Sequence, residues 1–528
     1  MKLRKLAAAA LAALPAAALA QAPTLAATLS QSENLGTARF MAMGGAFTAL
    51  GGDLSVLGQN PAGIGVYNRS DIGATMDIAI NTFNSTAPNY SRDWKNTKVS
   101  CNNVAYVGSI RTTGSLRTFN WGVSYGRKAS FNRISSGYQL GTPTSMTNYI
   151  AGFTDGVSSS DLDFSTGYNP YLDSNNDWLS ILAYNSYMIN GTRPGQYVGL
   201  QPSSALADAD YVTKESGYVD EYNIDFGGNV QDVVYWGLGV GITDLSYSRN
   251  SYYSESIENG TIYNTATGGI TTGNAGFDLY NDQYVSGTGW NLKFGVIVKP
   301  INELRLGFAI HTPTWYTLSH NFIASTSYSY YNPASDRQLH GNEDTDEAYF
   351  NSRLNAPWRF MVGVAGVVGT NAILSADYER VAYGDMTTSY ASGWSGYQSA
   401  TEVNNCIKDY YQASNIFRIG AEYRVTPQFS IRAGYSYKSS DTKSEALDGK
   451  YEVLTSGTDL SYSLNRDSQS FSVGLGYRYQ LWYIDAAYVH TDRKSQYKAY
   501  TDYSGYVTPG ADVKLSQKSI VISTGFRF

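Results

Sequence analysis

From Ser70 onward the chain repeats one pattern: short runs in which every second residue is apolar, joined by connections that are alternately short and long. Ile72, Ala74, Met76, Ile78 and Ile80 share one face of the first run, with Asp71, Gly73, Thr75 and Asp77 on the other. Period two is the side-chain period of a β-strand. Val234, Trp236, Leu238, Val240 and Ile242 stand opposite Tyr235, Gly237, Gly239, Gly241 and Thr243. Phe417, Ile419, Ala421 and Tyr423 stand opposite Arg418, Gly420, Glu422 and Arg424. Similar runs lie near residues 99–110, 117–131, 222–226, 290–298, 304–310, 358–365, 374–383, 429–435, 471–479, 482–488 and 520–528. They predict about fourteen strands, an even number, as single-chain bacterial barrels have.

The connections carry separate information. Short ones fall at 112–115, 229–232, 299–302, 368–371, 425–428 and 480–481. Long polar ones fall at 84–98, 135–216, 250–284, 312–349, 386–411, 440–465 and 492–514. Strict alternation puts the short turns on one side of a membrane and the long loops on the other. A sandwich or propeller has no reason to keep that parity. The predicted fold is all-β: a transmembrane antiparallel β-barrel with an N-terminal hatch plugging the lumen.

Composition agrees. The chain has 45 Tyr and 52 Gly, and only 16% of its residues are charged. A mean hydropathy of −0.29 suits a barrel, which shows lipid only alternate residues. A net charge of −6 argues against a nucleic-acid partner. Lys2, Arg4 and Lys5 precede the apolar stretch 6–14, and Ala18-Leu19-Ala20 fits a cleavage site, so residues 1–20 are expected to be a signal peptide. No later run of about 18 apolar residues predicts a transmembrane helix. The division expected is a leader at 1–20, a hatch at 21–69 and a barrel at 70–528.

One closed wall satisfies every backbone donor and acceptor in hydrocarbon. Its apolar face meets lipid, and Trp290, Trp358 and Trp482 near strand ends suit interfacial girdles. The opposite face carries Gly, Ser, Arg, Asp and Glu, leaving room inside. The stretch 44–63 differs from everything after it: small, compact and nearly uncharged. Glycines are expected to interrupt a short helix within 36–52. Pro61 is expected to end any helix, and Gly63 to permit positive φ. Residues 21–35 look like a polar leader. The terminal Phe526-Arg527-Phe528 looks like the aromatic signal read by the barrel-assembly machinery.

Asp53-Leu54-Ser55, followed by Asn60-Pro61-Ala62-Gly63 and preceded by Gly44-Gly45-Ala46, resembles the hatch motif of the FadL family. Those proteins are outer-membrane transporters of long-chain fatty acids and aromatic hydrocarbons. The resemblance implies a monomeric channel without cofactor or catalytic residues. It implies that loops collect a hydrophobic ligand, that a pocket above the hatch receives it, and that a gap in the wall releases it sideways. Lipid and lipopolysaccharide are the surroundings expected. Asn60, Pro61, Ala62, Gly63, Asp53 and Ser55 carry over as hatch residues. Independently, Gly122 and Gly126 in the third strand suit a bend that opens the wall, or room for the hatch. Trp178, Leu179, Ile181 and Leu182 suit a greasy external surface, or packing between loops.

Other constellations point to less. Gly237-Leu238-Gly239-Val240-Gly241 lies in a strand and is read as lumen packing rather than a nucleotide loop. Asp173 to Asp177 lacks the Gly and Glu of a calcium loop. His311, His320 and His340 are scattered, and no metal site is expected. Arg305, Arg359, Arg418, Arg424, Arg432 and Arg478 suit either a ligand carboxylate or ion pairs with Glu422 and Asp485; the pairs are preferred. A Cys101–Cys406 bridge is a further option. The rival functions are a polar-solute porin and a surface adhesin or haem receptor.

Overall fold

In the computed structural model, residues 22–88, 90–264, 266–391, 396–455, 457–502 and 505–528 are described. The predicted signal peptide at 1–20 lies outside the described residues. Fourteen wall strands form one antiparallel sheet among the described residues. They are β1 Asp71–Ala87, β2 Tyr90–Arg111, β3 Leu116–Thr142, β4 Ala207–Val230, β5 Val234–Asn264 and β6 Gly269–Ile301. β7 has two pieces, Leu304–His311 and Trp315–Asn332; β8 has three, Arg337–Asp344, Ala348–Asn355 and Arg359–Val368; β9 has two, Ala372–Ala382 and Thr387–Ala391. β10 Ala413–Arg424, β11 Phe429–Lys438, β12 Tyr462–Tyr479, β13 Trp482–Lys498 and β14 Gly510–Arg527 complete the wall. β14 pairs with β1, Arg527 opposite Asp71, and the cylinder is closed.

The alternation decides the faces. Met76 is 50% exposed while its neighbour Asp77 is 2% exposed. Ile72, Ile78, Ile80, Leu238, Val240, Ile242, Phe417, Ile419, Val473 and Leu475 all stand outside. They form the apolar belt that lipid covers, and such a barrel belongs in a bacterial outer membrane. Trp290 packs on Trp315 at one rim of the belt, and Trp482 on Phe526 at the other.

The short turns sit close to where the sequence puts them, between β2 and β3, β4 and β5, β6 and β7, β8 and β9, β10 and β11, and β12 and β13. The long connections are where expectation and structure part. Much of 84–98, 250–284 and 312–349 is not loop but hairpin. β5 and β6 pair from Val234↔Val298 up to Asn264↔Gly269. β6 alone has 33 residues, roughly 100 Å of strand at about 3.3 Å each, against a hydrocarbon core of about 30 Å. The wall therefore continues well beyond the lipid. There neither strand face meets hydrocarbon, so the polarity alternation fades, while Tyr, Thr, Ser and Asn keep the ladder going.

The connection between β3 and β4 folds as a cap, with helices Met146–Thr154 and Trp178–Asn185 and a hairpin of Ile189–Arg193 with Gln196–Gly199. The N-terminal segment lies inside the wall. The expected polar leader instead contains a buried helix, Pro23–Leu29. Its Leu25 and Leu29 pack in one cluster with Phe131, Tyr247, Leu318 and Ile407. The single interrupted helix expected over 36–52 reduces to Ala38–Ala42, after which Gly44, Gly45, Gly51 and Gly52 take positive φ.

Candidate functional site

The hatch is held by its own polar groups and by a lining of small wall residues. Thr37 caps the helix Ala38–Ala42, its hydroxyl oxygen accepting from Phe40 N at 3.1 Å. Asp53 and Ser55 fix that cap: Thr37 Oγ1 donates to Asp53 Oδ1 at 2.7 Å, and Thr37 N to Ser55 Oγ at 2.7 Å. The helix Val56–Gln59 stops at Asn60, and a 3₁₀ turn, Pro61–Val66, begins there. The fully buried Asn60 side chain serves two strands of this knot. Its Oδ1 accepts from Ala62 N at 3.0 Å, and its Nδ2 donates to Thr48 O at 2.6 Å. Gly63 is absent from the positive-φ positions, contrary to expectation. It is a contact glycine: a Cβ there would sit 2.8 Å from Val56 Cγ2.

The wall answers with glycines of its own. Side chains added at Gly122, Gly237, Gly295, Gly307, Gly420 or Gly474 would run into hatch atoms. The Gly237–Gly241 run is thus lumen packing, with Pro61 against Gly237. Polar stitches cross the same interface. Ala38 N donates to Ser523 Oγ at 2.7 Å and Thr48 N to Asp377 Oδ2 at 2.8 Å. Asn120 Nδ2 donates to Ile64 O at 2.6 Å, and Arg305 Nη1 to Leu50 O at 2.6 Å. His311 bonds Gln59 O at 2.7 Å. Arg39 of the hatch joins Glu422, which also pairs Arg432, and Arg432 reaches Asp485. Arg359 and Arg418 share Glu379. Of the six lumen arginines singled out in the sequence, Arg432 makes both expected pairs, whereas Arg424 and Arg478 face solvent.

Among the described residues, the ladder between β2 and β3 is incomplete. β2 and β3 pair from Arg111↔Thr118 only as far as Asn103↔Gly126, although β2 extends to Tyr90 and β3 to Thr142. Beyond the ladder the strands touch through side chains. Trp94 Nε1 donates to Ser136 Oγ at 3.0 Å, Asn96 Nδ2 to Asn132 Oδ1 at 3.0 Å, and Lys98 Nζ to Phe131 O at 3.4 Å. Between these bridges and the ladder lies a slot opening on a cavity of ≈ 310 Å³. Lumen residues Asp77 and Gln517 line it, and so does Val99, which is 64% exposed on the lipid side beside Ile78. Of the two glycines proposed for the opening, Gly122 lies within the intact ladder against Leu57 and Ile64 of the hatch. Gly126 stands where the ladder stops.

Above the hatch is a chamber of ≈ 140 Å³. Its walls combine Leu35, Phe131, Ile416, Val489 and Leu515 with Arg133, Arg418, Lys438, Arg466, Arg493 and Lys494. The sequence did not single out five of those six cations. All but Arg418 lie in strand portions beyond the alternating runs, where no periodic signal marks an inward face. The external run Trp178 to Leu182 is not an open surface. Leu179, Ile181 and Leu182 are fully buried in the cap, and the half-buried Trp178 packs on Tyr171 and Phe322. The apolar middle of the helix, Leu179 to Ala183, is buried.

The remaining candidates resolve simply. Asp177 caps the helix Trp178–Asn185, accepting from Leu179 N at 2.8 Å. His320 stacks on Phe350 and bonds Ser352, while His340 is exposed. Cys101 and Cys406 are free thiols, not a bridge.

No protein-family model and no curated protein matches the sequence. Solved structures do match. A Pseudomonas aeruginosa FadL homologue aligns at 14% identity over 94% of this chain and 99% of its own, with a TM-score of 0.52. A ΔS2 mutant of the monoaromatic hydrocarbon channel TodX aligns at 14% identity over 93% and 99%, with a TM-score of 0.50. The toluene transporter TodX of Pseudomonas putida gives 13% identity over 94% and 99%, with a TM-score of 0.48. The chain shares the β-barrel fold of the first two of these, the FadL homologue and the TodX mutant.

Proposed function

We propose that the protein is a passive outer-membrane channel for hydrophobic small molecules, which enter the chamber above the hatch and leave sideways through the β2–β3 slot. The observation that carries this reading is the end of the β2–β3 ladder at Asn103↔Gly126, opposite Thr75 and just short of lipid-facing Ile78 and Val99. Hydrocarbon tolerates unpaired strand edges only where protein or a water-filled cavity takes up their polar groups. Here Lys98 Nζ donates to Phe131 O, Asn103 Nδ2 to Tyr125 O and Ser136 N to Ser85 Oγ, so the slot is a built feature. The lower lumen is filled by hatch backbone against wall glycines, so lateral exit is the shorter path. An apolar tail that slides from chamber to bilayer avoids exposing surface worth about 0.8 kcal/mol per CH₂ to water. Of the neighbours named above, the TodX ΔS2 mutant is a monoaromatic hydrocarbon channel; long-chain fatty acids are the class implied by the sequence resemblance.

A staple across the slot tests this. Asn96→Cys with Asn132→Cys, in a Cys101→Ser, Cys406→Ser background, joins side chains that are hydrogen-bonded in the native chain. Laurate uptake by proteoliposomes is expected to fall at least tenfold when the pair is oxidised and to recover on reduction. Equal uptake in both states would rule out exit by this route.

A further inference from the structure

The apolar belt does not end in the same chemistry all the way round. On β13, β14, β1 and β2 its last outward residues are Tyr488, Ile520, Ile80 and Val99. Beyond them β14 carries Lys518 and Lys514 on the parity of Ile520, and β2 carries Lys95 on the parity of Val99. β13 carries His490 and Lys494 on the parity of Tyr488; Lys494 also borders the chamber, but it is exposed and has the parity of the outer face. Lys95, Lys514 and Lys518 are exposed as well. On β4 to β6 the corresponding rim carries Asp220, Asp244, Asp278 and Asp282, with Arg127 of β3 paired to Asp220. A chain of net charge −6 thus gathers four lysines around the seam where β14 meets β1.

Like charges face each other there. Lys494 is directly opposite Lys514, and His490 directly opposite Lys518. Directly opposed like charges destabilise a sheet. One carboxylate stands among them: Asp492 lies 3.1 Å from Lys514 Nζ and 3.5 Å from His490 Nε2. The next carboxylates up, Asp93 and Asp512, are taken by Asn84 and Arg466. Lys95, Lys494 and Lys518 have no ion-pair partner among the described residues. Height identifies the anion that such a patch calls for. At about 3.3 Å per residue, Lys518 stands about 7 Å along its strand beyond Ile520, and Lys514 about 20 Å. That is the headgroup layer of the external leaflet, where lysine stems lie against the belt and their ammonium groups reach anionic heads.

We propose that this face of the external rim is a docking surface for the phosphorylated headgroup of an outer-leaflet glycolipid, whose acyl chains lie on Ile80, Tyr488 and Ile520. One phosphate neutralises the opposed Lys494 and Lys514, and a second the charge at Lys518 and Lys95. The lipid so held spans β13, β14, β1 and β2 and clamps the seam of the cylinder from outside. The surface lies outside the lumen and does not depend on what the channel carries.

The test uses the full-length protein in detergent. It is titrated with lipid A and with lipid A stripped of its phosphates, and bound lipid is read by native mass spectrometry. The heat-dependent gel shift checks that each variant is a folded barrel. The native protein is expected to bind lipid A at least tenfold more tightly than the stripped form. Lys514→Gln with Lys518→Gln is expected to erase that preference, and Lys514→Arg with Lys518→Arg to keep it. Lys408→Gln with Lys450→Gln, at two exposed lysines away from the rim, is expected to change nothing. Where the rim double variant does not assemble, Lys518→Gln alone is expected to lower the preference about threefold. Inorganic phosphate at the concentration of the lipid is expected not to displace it. Equal affinity for the two lipids overturns the proposal. So does a preference that survives in the rim variant, one lost equally in the Lys408 and Lys450 control, or displacement by inorganic phosphate. Laurate uptake plays no part in these readings, so failure here leaves the channel reading untouched, and the reverse.

Discussion

At the scale of single residues, Asn60 does the most for the hatch. One amide caps the turn at Ala62 and satisfies Thr48 O across the knot. No other side chain of that size offers a donor and an acceptor in this geometry. Asn60→Ala leaves both backbone groups unpaired and is expected to cost about 1–3 kcal/mol locally. Limited proteolysis should then cut within residues 44–66 while the barrel keeps its heat-dependent gel shift. Retained protease resistance would show that wall glycines alone hold the knot. The motif was legible in the sequence because residue types at fixed spacing carry it. The reason for Gly63 was not, since contact with Val56 depends on how the chain returns on itself rather than on its own φ.

Single elements show where periodicity stops informing. Wall strands in lipid must alternate, and their short turns follow from where the alternation breaks. The upper strands and the cap have no such constraint. The helix Trp178–Asn185 is mostly apolar, so its sequence alone is compatible with an open surface or a core; the surrounding Tyr171, Phe322 and Met188 make it a core. Its cap residue gives a pH prediction. Burial pushes the Asp177 carboxyl up from 3.8 to about 6, with the Leu179 and Ser180 backbone N–H groups pulling the other way. The folded cap then binds this proton more tightly than the unfolded chain. The contribution is complete below about pH 4 and is lost as pH rises through about 6. Hydrogen exchange over residues 178–185 should therefore speed up between pH 4 and 7, after correction for the intrinsic rate, by a change on the order of 1 kcal/mol. Asp177→Asn keeps the capping acceptor and should abolish that slope. A slope that survives in the variant would assign it to another group.

The molecule as a whole is a cylinder much taller than the membrane, filled below by a hatch and closed above by a cap. Wall and hatch are complementary: glycine faces in the strands meet backbone in the plug. Deleting residues 22–69 is expected to leave a folded barrel that passes small sugars in liposome swelling, whereas the intact protein passes none. A deletion variant that stays tight would mean the cap, not the hatch, seals the lumen. The sequence by itself determined the membrane-spanning half of this architecture. Strand number, inward and outward faces, turn positions and the hatch motif all follow from rules that act between residues a few positions apart. Only the tertiary structure decided where β2 and β3 part, that Glu33 meets Arg493 some 460 positions along the chain, and which cations share a chamber. Those outcomes depend on register and stagger summed around a closed sheet, and a local pattern holds no record of that sum.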